Sequence, residues 1–274
     1  MSGRLSFGGL IRSEWIKLWS VRSTYWCLAI VVALTVLLGL LVGRVADEPT
    51  ADAGAAALTT ASTAYAVSGA TLGLSFAQLV VAVLGALVVT GEYGSGMIRT
   101  TFMAAPRRIG ALLAKALVFA VVTFVVGLVA ELLATAVTEP ILTGRGFTPD
   151  LGDAGFWWAL LGGAGYLALV GVFALGLGIV LRSSAASIAT AVGALFVLPI
   201  VGQLIARLAN ATWVDNVRAF LPSAAGGQMY SYGDQTSTAS DVIVLSAWQG
   251  TIVMVAWVAL FGVIGLVLAK RRDV

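Results

Sequence analysis

Residues 111–137 read ALLAKALVFAVVTFVVGLVAELLATAV, an apolar run in which only Lys115 and Glu131 carry charge. A helix needs about 20 apolar residues to cross the ~30 Å hydrocarbon core of a bilayer. Strands of an outer-membrane barrel instead alternate apolar and polar residues over about 10 positions. The run is therefore predicted to be a membrane-spanning helix.

Similar runs lie on both sides of this one. The chain is 59% hydrophobic and 11% charged, with a mean hydropathy of +0.99, whereas an ordinary soluble domain has about 25% charged residues. These values predict a single all-α membrane domain over residues 1–274 with six transmembrane helices. The predicted spans are residues 25–42, 72–90, 111–137, 156–181, 185–206 and 245–269.

Histidine is absent from the chain, and the single cysteine is Cys27. Histidine-ligated metals, nucleophiles activated by histidine and disulfides within one chain are therefore excluded. We predict no catalytic residue and no metal ligand.

Basic residues near span ends mark the cytoplasmic side of a membrane protein. Counted over alternate loops, twelve Lys and Arg fall on the side of the two termini and four on the other side. Both termini are thus predicted to be cytoplasmic, and the net charge of +3 reflects this asymmetry rather than a nucleic-acid partner. The predicted anchors at the membrane border are Arg12, Lys17, Arg22, Arg107 and Arg108.

A helix lying on the inner membrane surface is predicted ahead of the first span, over about residues 8–22. Apolar residues recur there at helical spacing, which is typical of an interfacial amphipathic helix. A basic anchor that merely orients the chain fits the pattern equally well. The apolar positions are Leu10, Ile11, Trp15, Leu18 and Trp19, and the polar positions are Arg12, Ser13, Glu14, Lys17 and Ser20.

The longest connection, residues 207–240, lies on the predicted outer side. Trp213, Val217, Phe220 and Leu221 share one helical face ahead of Pro222. This pattern predicts a short helix that dips into the outer interface.

Glu131 is the one acid within the predicted spans, and a carboxylate in a membrane is a candidate for ion or proton handling. It lies 20 residues after Ala111, which is roughly 30 Å of helix at 1.5 Å per residue. This depth predicts a position near the outer headgroups. Gln78 and Glu131 are therefore candidate polar groups of a path or of a helix interface.

Residues 91–108, GEYGSGMIRTTFMAAPRR, separate the second and third spans with one acid, three arginines, three glycines and a proline. Ser95 as an N-cap and Pro106 as a stop would bound about ten residues of helix. Met97, Ile98 and Phe102 would give this helix an apolar face. On the residues alone it is either a positively charged loop with an incidental interfacial helix or a docking element.

The segment GEYGSGMIRTTFMAAPRR resembles the cytoplasmic loop after the second span of ABC-2 type transporter permeases. An acidic-aromatic pair, a glycine, an Arg-Thr step and a final Pro-Arg-Arg recur in that loop. Residues 13–26, SEWIKLWSVRSTYW, look like the interfacial helix of the same family, and residues 220–227, FLPSAAGG, are similar to a segment before its last span.

This resemblance implies that the loop contains a coupling helix, which docks on a separate ATP-binding cassette subunit. Glu92 would brace the loop at the membrane border. The residues that would form the dock are Glu92, Tyr93, Met97, Ile98, Arg99, Thr100 and Phe102.

The chain has no G-x-x-x-x-G-K-[ST] stretch and hence no phosphate-binding loop of its own. The resemblance thus implies the permease of a bacterial ABC exporter in the cytoplasmic membrane, not itself an enzyme, with ATP and magnesium on the partner subunit. It also implies a second permease, either an identical copy or a sister chain. The alternatives are a secondary transporter or channel that works without ATP, and a membrane anchor for a cytoplasmic partner.

Overall fold

The computed structural model describes residues 6–46, 55–97, 108–209, 212–233 and 242–271. Every regular element within those ranges is helical. Six helical stretches are long and apolar enough to cross a membrane, which confirms the predicted number. They are Arg22–Val45, Ala55–Gly94, Ile109–Gly144, Ala154–Leu181, Ser184–Leu208 and Ala247–Ala269.

We number the described helices in chain order. They are α1 (Phe7–Ser20), α2 (Arg22–Val45), α3 (Ala55–Thr71), α4 (Leu74–Gly94), α5 (Arg108–Gly144), α6 (Ala154–Leu181), α7 (Ser184–Val192), α8 (Leu198–Ala209), α9 (Thr212–Ala219), α10 (Pro222–Gly227) and α11 (Ala247–Arg271). A π-helical turn, Gly193–Val197, joins α7 to α8, and a 3-10 turn, Gln228–Tyr230, follows α10.

The most buried span is α6, which packs against α4, α5 and α11. Its glycines allow this close packing. A methyl group on Gly85 of α4 would lie 2.6 Å from the carbonyl oxygen of Gly171 in α6, so the two backbones touch where neither residue has a side chain. Apolar side chains from α2, α4, α5, α6 and α11 then form one continuous core.

The two ends of the bundle differ in what they hold. At one end, which we call the near end, Leu10 of α1 lies against Gly110 at the start of α5, and Ile179 of α6 lies against Gly265 of α11. The last turn of α4 and the tight turn at Arg182 lie there as well. The opposite end is called the far end.

At the far end, α3 forms a helical layer ahead of residue 72, where the second predicted span begins. Ala66, Val67 and Ala70 of α3 belong to a second apolar core, with Leu142 of α5 and Leu160 of α6 among the other members. The Ser62 and Thr63 hydroxyls also accept hydrogen bonds from the backbone N–H groups of Thr148 (3.1 Å) and Asp150 (2.9 Å). These bonds tie α3 to the chain that leads into α6.

The connection between the fifth and sixth spans contains the predicted short helix, α9, at Thr212–Ala219. The chain then turns back into the bundle, because Ala225 and Gly226 of α10 are buried against α11 and α6. Gly226 contacts the Tyr166 ring so closely that a methyl group there would overlap it. Residues 222–230 therefore form a re-entrant segment rather than a surface loop.

Candidate functional site at the near end

Four charged side chains from three helices meet at the near end. Lys115 of α5 donates to Glu14 of α1 at 2.5 Å and to Glu92 of α4 at 2.9 Å. Lys17 of α1 donates to the same two carboxylates at 2.8 and 3.1 Å. We call these four residues the near-end ion network.

The network is buried and electrically balanced. Glu14, Glu92 and Lys115 are each 4% exposed, and the side chain of Lys17 is 30% exposed. Two acids and two bases sum to zero charge, so neither sign is left uncompensated in a site of low polarity. Removing one partner of a buried ion pair costs about 3–5 kcal/mol, since the other charge is left without a counter-ion. The network therefore holds α1, the end of α4 and the start of α5 to one another.

Lys17 remains charged in this setting. Burial by itself would lower the pKa of Lys17, but the hydrogen bond to Glu14 and the charges of Glu92 and Glu14 outweigh burial and raise the pKa. The ammonium is thus held as a cation by its two carboxylate neighbours.

Part of this site is predictable from the sequence. Glu92 was expected to brace the loop at the membrane border, and the structure pairs it with two lysines. Glu14 was assigned to the polar face of α1, yet its side chain points into the bundle, where Lys115 balances its charge. For Lys115 the sequence predicts no role beyond a charge near the start of the third span.

A cavity of about 450 Å³ lies beside the network, between α1, α2, α4 and α5. Its apolar wall includes Leu18, Leu84 and Phe119, and all four network residues line it as well. Met97 also lines the cavity. The stretch that leads into residues 98–107 thus begins beside this space.

The exit from α4 is sharp. The Ser95 hydroxyl donates to the Gly91 carbonyl at 2.9 Å, so Ser95 closes α4, whereas the sequence pattern predicts it as the N-cap of the next helix. Gly96 follows in the left-handed region with φ 71°, and Met97 is helical and 41% exposed. A glycine is suited to this position because it adopts a positive φ without steric cost.

The remaining predicted dock and anchor residues fall into two groups. Arg12, in the middle of α1, and Arg22, the first residue of α2, are both exposed. The positions outside the described residues are Ile98, Arg99, Thr100, Phe102 and Arg107, and Arg108 is described only as the first residue of α5.

Tyr93 makes a second connection at the near end, this time to the turn between α6 and α7. The guanidinium carbon of Arg182 lies 5.1 Å from the centre of the Tyr93 ring, which is a cation–π distance. Arg182 itself adopts φ 53°, the one positive φ of a non-glycine residue in the described ranges. Ser184 also donates to Thr90 at 2.8 Å, so the end of α4 contacts this turn as well as α1 and α5.

Glu131 lies inside the helical bundle, on a helix longer than the predicted span. The predicted span ended at residue 137, whereas α5 continues through Pro140 to Gly144, 13 residues or about 20 Å past Glu131. The side chain is fully buried at 0% exposure, against the backbone of Gly163 in α6. The position of Glu131 near the outer headgroups stays a prediction.

Gln78, the other predicted polar group of the spans, is paired within the bundle. Its side-chain oxygen accepts a hydrogen bond from the Tyr166 hydroxyl, and its amide nitrogen donates to the Ser75 carbonyl at 2.8 Å. Gln78 on α4 and Tyr166 on α6 each lie one turn from a residue that contacts Glu131, namely Leu74 and Gly163. The structure thus brings the two predicted polar positions to one region.

Comparison with known families gives a match over almost the whole chain. Residues 17–274 match the family model described as ABC-2 family transporter protein. The matched region includes Lys17, Glu92 and Lys115 of the near-end ion network. No curated protein sequence matches the chain.

Proposed function

The chain belongs to the ABC-2 transporter family, and from this premise we propose that it is the membrane permease of an ATP-driven exporter. In this proposal a separate ATP-binding cassette subunit binds ATP and magnesium and hydrolyses the nucleotide. The permease forms the substrate path and changes conformation when the partner subunit binds and hydrolyses ATP. The absence of a phosphate-binding loop in the sequence supports this division of labour.

The near-end ion network is the observation that carries the proposal. It joins α4, whose last turn leads into the loop, to α5, with which the chain resumes after the loop, and to α1. A displacement of the loop would move all three helices together, because separating them would leave buried charges without their partners. Such a junction suits a device that turns motion at the near end into motion of the spans.

In the proposed complex, the loop is a coupling helix that docks on the ATP-binding subunit. Tyr93, Met97, Ile98, Arg99 and Thr100 contact that subunit, with Phe102 on the same apolar face. Glu92 holds the base of the helix to α1 and α5. The exposure of Met97 supports a surface that a partner covers.

A second permease, an identical copy or a sister chain, completes the proposed transporter. The fifth and sixth spans support this assembly, because only 11% and 17% of the residues in their most apolar 18-residue stretches are buried. Lipid or a second permease must cover the rest. The complex would lie in a bacterial cytoplasmic membrane, with both termini of the permease in the cytoplasm.

Ile98→Asp tests the coupling helix. A charge placed in a protein contact costs several kcal/mol when it has no partner, so the variant permease should insert normally but lose the ATP-binding subunit. Arg99→Ala should be milder, because an exposed ion pair contributes about 0–1 kcal/mol. The permease would be purified from its native membranes, and the bound subunit would be identified by its G-x-x-x-x-G-K-[ST] sequence and its ATPase activity.

Two outcomes would contradict the proposal. An Ile98→Asp complex that keeps the subunit and its substrate-stimulated hydrolysis would remove the loop from the coupling role. A wild-type permease that binds no ATP-binding subunit and transports without ATP would instead favour a secondary transporter or channel.

A further inference from the structure

Glu131 is a buried acid with no counter-ion among the residues that the structure describes. Its exposure is 0%, and no side chain in the described ranges bonds to either carboxyl oxygen, which has only the Gly163–Ala164 backbone of α6 beside it. The contrast with the near-end ion network is direct, because Glu14 and Glu92 each contact two lysines there.

Polar groups from three other elements converge around this carboxyl. Tyr166 of α6 donates to Gln78 of α4. Tyr230, in the 3-10 turn of the re-entrant segment, lies with its ring centre 5.7 Å from that of Tyr166 and bonds to the Ser75 side chain. We call Ser75, Gln78, Glu131, Tyr166 and Tyr230 the Glu131 cluster.

Within the described ranges, the polar groups of the Glu131 cluster other than Glu131 itself are uncharged. From α4 they are Ser75 and Gln78, from α6 the phenol of Tyr166, and from the re-entrant segment the phenol of Tyr230. Burial and, to a lesser extent, the nearby Glu131 carboxyl raise the pKa of Tyr230 to about 12, although the hydrogen bond to Ser75 acts in the opposite direction. The phenols therefore offer hydrogen bonds but no positive charge. From α2 and α3, Gly39 and Gly69 pack against the following turns of α5, at Ala134 and Thr138.

An ionised carboxylate in such a place is very costly, and an acid that lacks a partner takes up a proton instead. Glu131 also lies well inside the bundle, since its neighbour Gly163 is nine residues, about 14 Å, from the start of α6. The packed bundle thus accommodates the neutral acid. A path that opened between α5 and α6 would expose the group to water or to a substrate.

We propose that Glu131 is the cation-accepting group of the substrate path, a neutral acid in the packed bundle and a carboxylate paired with a hydrophobic organic cation when the path opens. The exchange is balanced: the O–H bond of the acid breaks, the proton leaves to water, and the cation takes its place beside the carboxylate. The net charge of the site stays zero throughout. This inference rests on the proposed function as a permease.

The ligand class follows from the charge and the walls of the site. Among the described residues of the six spans, Glu92 is already paired and Glu139 is half-buried near the far end. Glu131 is accordingly the acid available to a ligand inside the bundle. Tyr230 lies near Glu131 with its ring beside that of Tyr166, and the Leu74 side chain adjoins the carboxyl at Gly163. These groups favour an apolar cation, since aromatic faces attract positive charge.

Binding of tetraphenylphosphonium to the purified full-length chain tests this inference without any ATP-binding subunit. If each cation displaces one proton, affinity should rise as pH rises, by up to tenfold per pH unit while Glu131 is protonated, and protons should be released on binding. Glu131→Gln should weaken binding at least tenfold and remove the pH dependence. Glu139→Gln, the same change two turns along α5, is the matched control and should bind like wild type.

Uncharged triphenylphosphine separates recognition of the charge from nonspecific hydrophobic binding. Equal binding of the neutral compound and the cation, no effect of Glu131→Gln, or no binding of the cation to wild type would each overturn the proposal. A failure here would leave the result for Ile98→Asp untouched, so the two proposals can fail separately.

Dicyclohexylcarbodiimide gives a second test that needs no variant, in case Glu131→Gln does not fold. This apolar reagent modifies protonated carboxyl groups in membranes. Wild-type chain should be labelled at Glu131, and tetraphenylphosphonium should protect it. Absence of labelling, or labelling that the cation does not reduce, would contradict the inference.

Discussion

Gly163 shows how a single residue makes room for a charge-bearing group. A methyl group on this glycine would overlap Oε1 of Glu131 and would press on Leu74 at 2.6 Å. In Gly163→Ala the carboxyl must leave its place, and overpacking of this kind costs about 1–3 kcal/mol. The gain in helix propensity, about 1 kcal/mol, offsets only part of that cost.

Gly165→Ala is the matched control on the same helix. Its methyl group would meet only the Met229 side chain at 3.6 Å, an ordinary contact. Thermal unfolding of the purified proteins in one detergent should show Gly163→Ala below wild type and Gly165→Ala equal to it or above it. Equal midpoints for the two variants would mean that Glu131 does not occupy the space beside Gly163.

The charged residues could be found in the sequence, but their partners could not. Glu92 and Glu131 stand out as acids in an apolar chain, whereas Glu14 and Lys115 are 101 positions apart and each has ordinary explanations where it stands. Helical periodicity assigns a residue to a face and says nothing about which helix will cover that face. The balance of the near-end network, and the lack of it around Glu131, therefore emerge only when the helices are packed.

At the scale of elements, the Tyr232 side chain ties the chain that follows the re-entrant segment to the start of α6 and to Thr63 of α3. The Tyr232 hydroxyl donates to Asp153 at 2.6 Å, and Asp153 also accepts from the Gly155 N–H at the start of α6. The hydrogen bond from Tyr232, and to a lesser extent that from the Gly155 N–H, lowers the pKa of Asp153. Because the folded pKa is below the unfolded one, the contribution to stability is present above the unfolded value of about 3.9 and is lost as pH falls through the folded value.

Tyr232→Phe should therefore destabilise the protein in a pH-dependent way. Without the phenol, the pKa of Asp153 returns towards its ordinary value, so the variant should unfold at a lower temperature than wild type near neutral pH. The difference should shrink as the pH falls below about 4. Tyr25→Phe removes a hydroxyl that donates to a backbone carbonyl at 3.0 Å, and it should shift unfolding equally at all pH values. A constant shift for Tyr232→Phe would contradict the role of Asp153.

The helices differ in how well they can be predicted from the sequence. The six spans follow from length and apolarity alone, because a bilayer requires both. By contrast, α3 is rich in alanine, serine and threonine, so neither its composition nor a polar face distinguishes it from a loop. The buried part of the re-entrant segment, PSAAGG, is equally inconspicuous. Small residues of this kind gain their helical state from close packing, which a local pattern does not reveal.

At the scale of the whole molecule, an even number of spans brings both terminal helices to the near end. The near-end network, the cavity and the start of the loop lie at that same end, while α3 and the Asp153–Tyr232 bond lie at the other. The Glu131 cluster lies between them. This order suits a permease in which force enters at one end and opens a path past a polar site within the bundle.

The side of the membrane that each end faces can be tested by cysteine labelling. The twelve-to-four distribution of basic residues predicts that the near end is cytoplasmic. In a Cys27→Ser background, Ser95→Cys at the near end and Thr148→Cys at the far end each replace an exposed side chain. An impermeant thiol reagent applied to intact cells should label Thr148→Cys and spare Ser95→Cys, and opening the cells should expose both. Labelling of Ser95→Cys alone in intact cells would reverse the orientation, and it would place the loop and its network on the side of the membrane where no ATP-driven subunit can reach them.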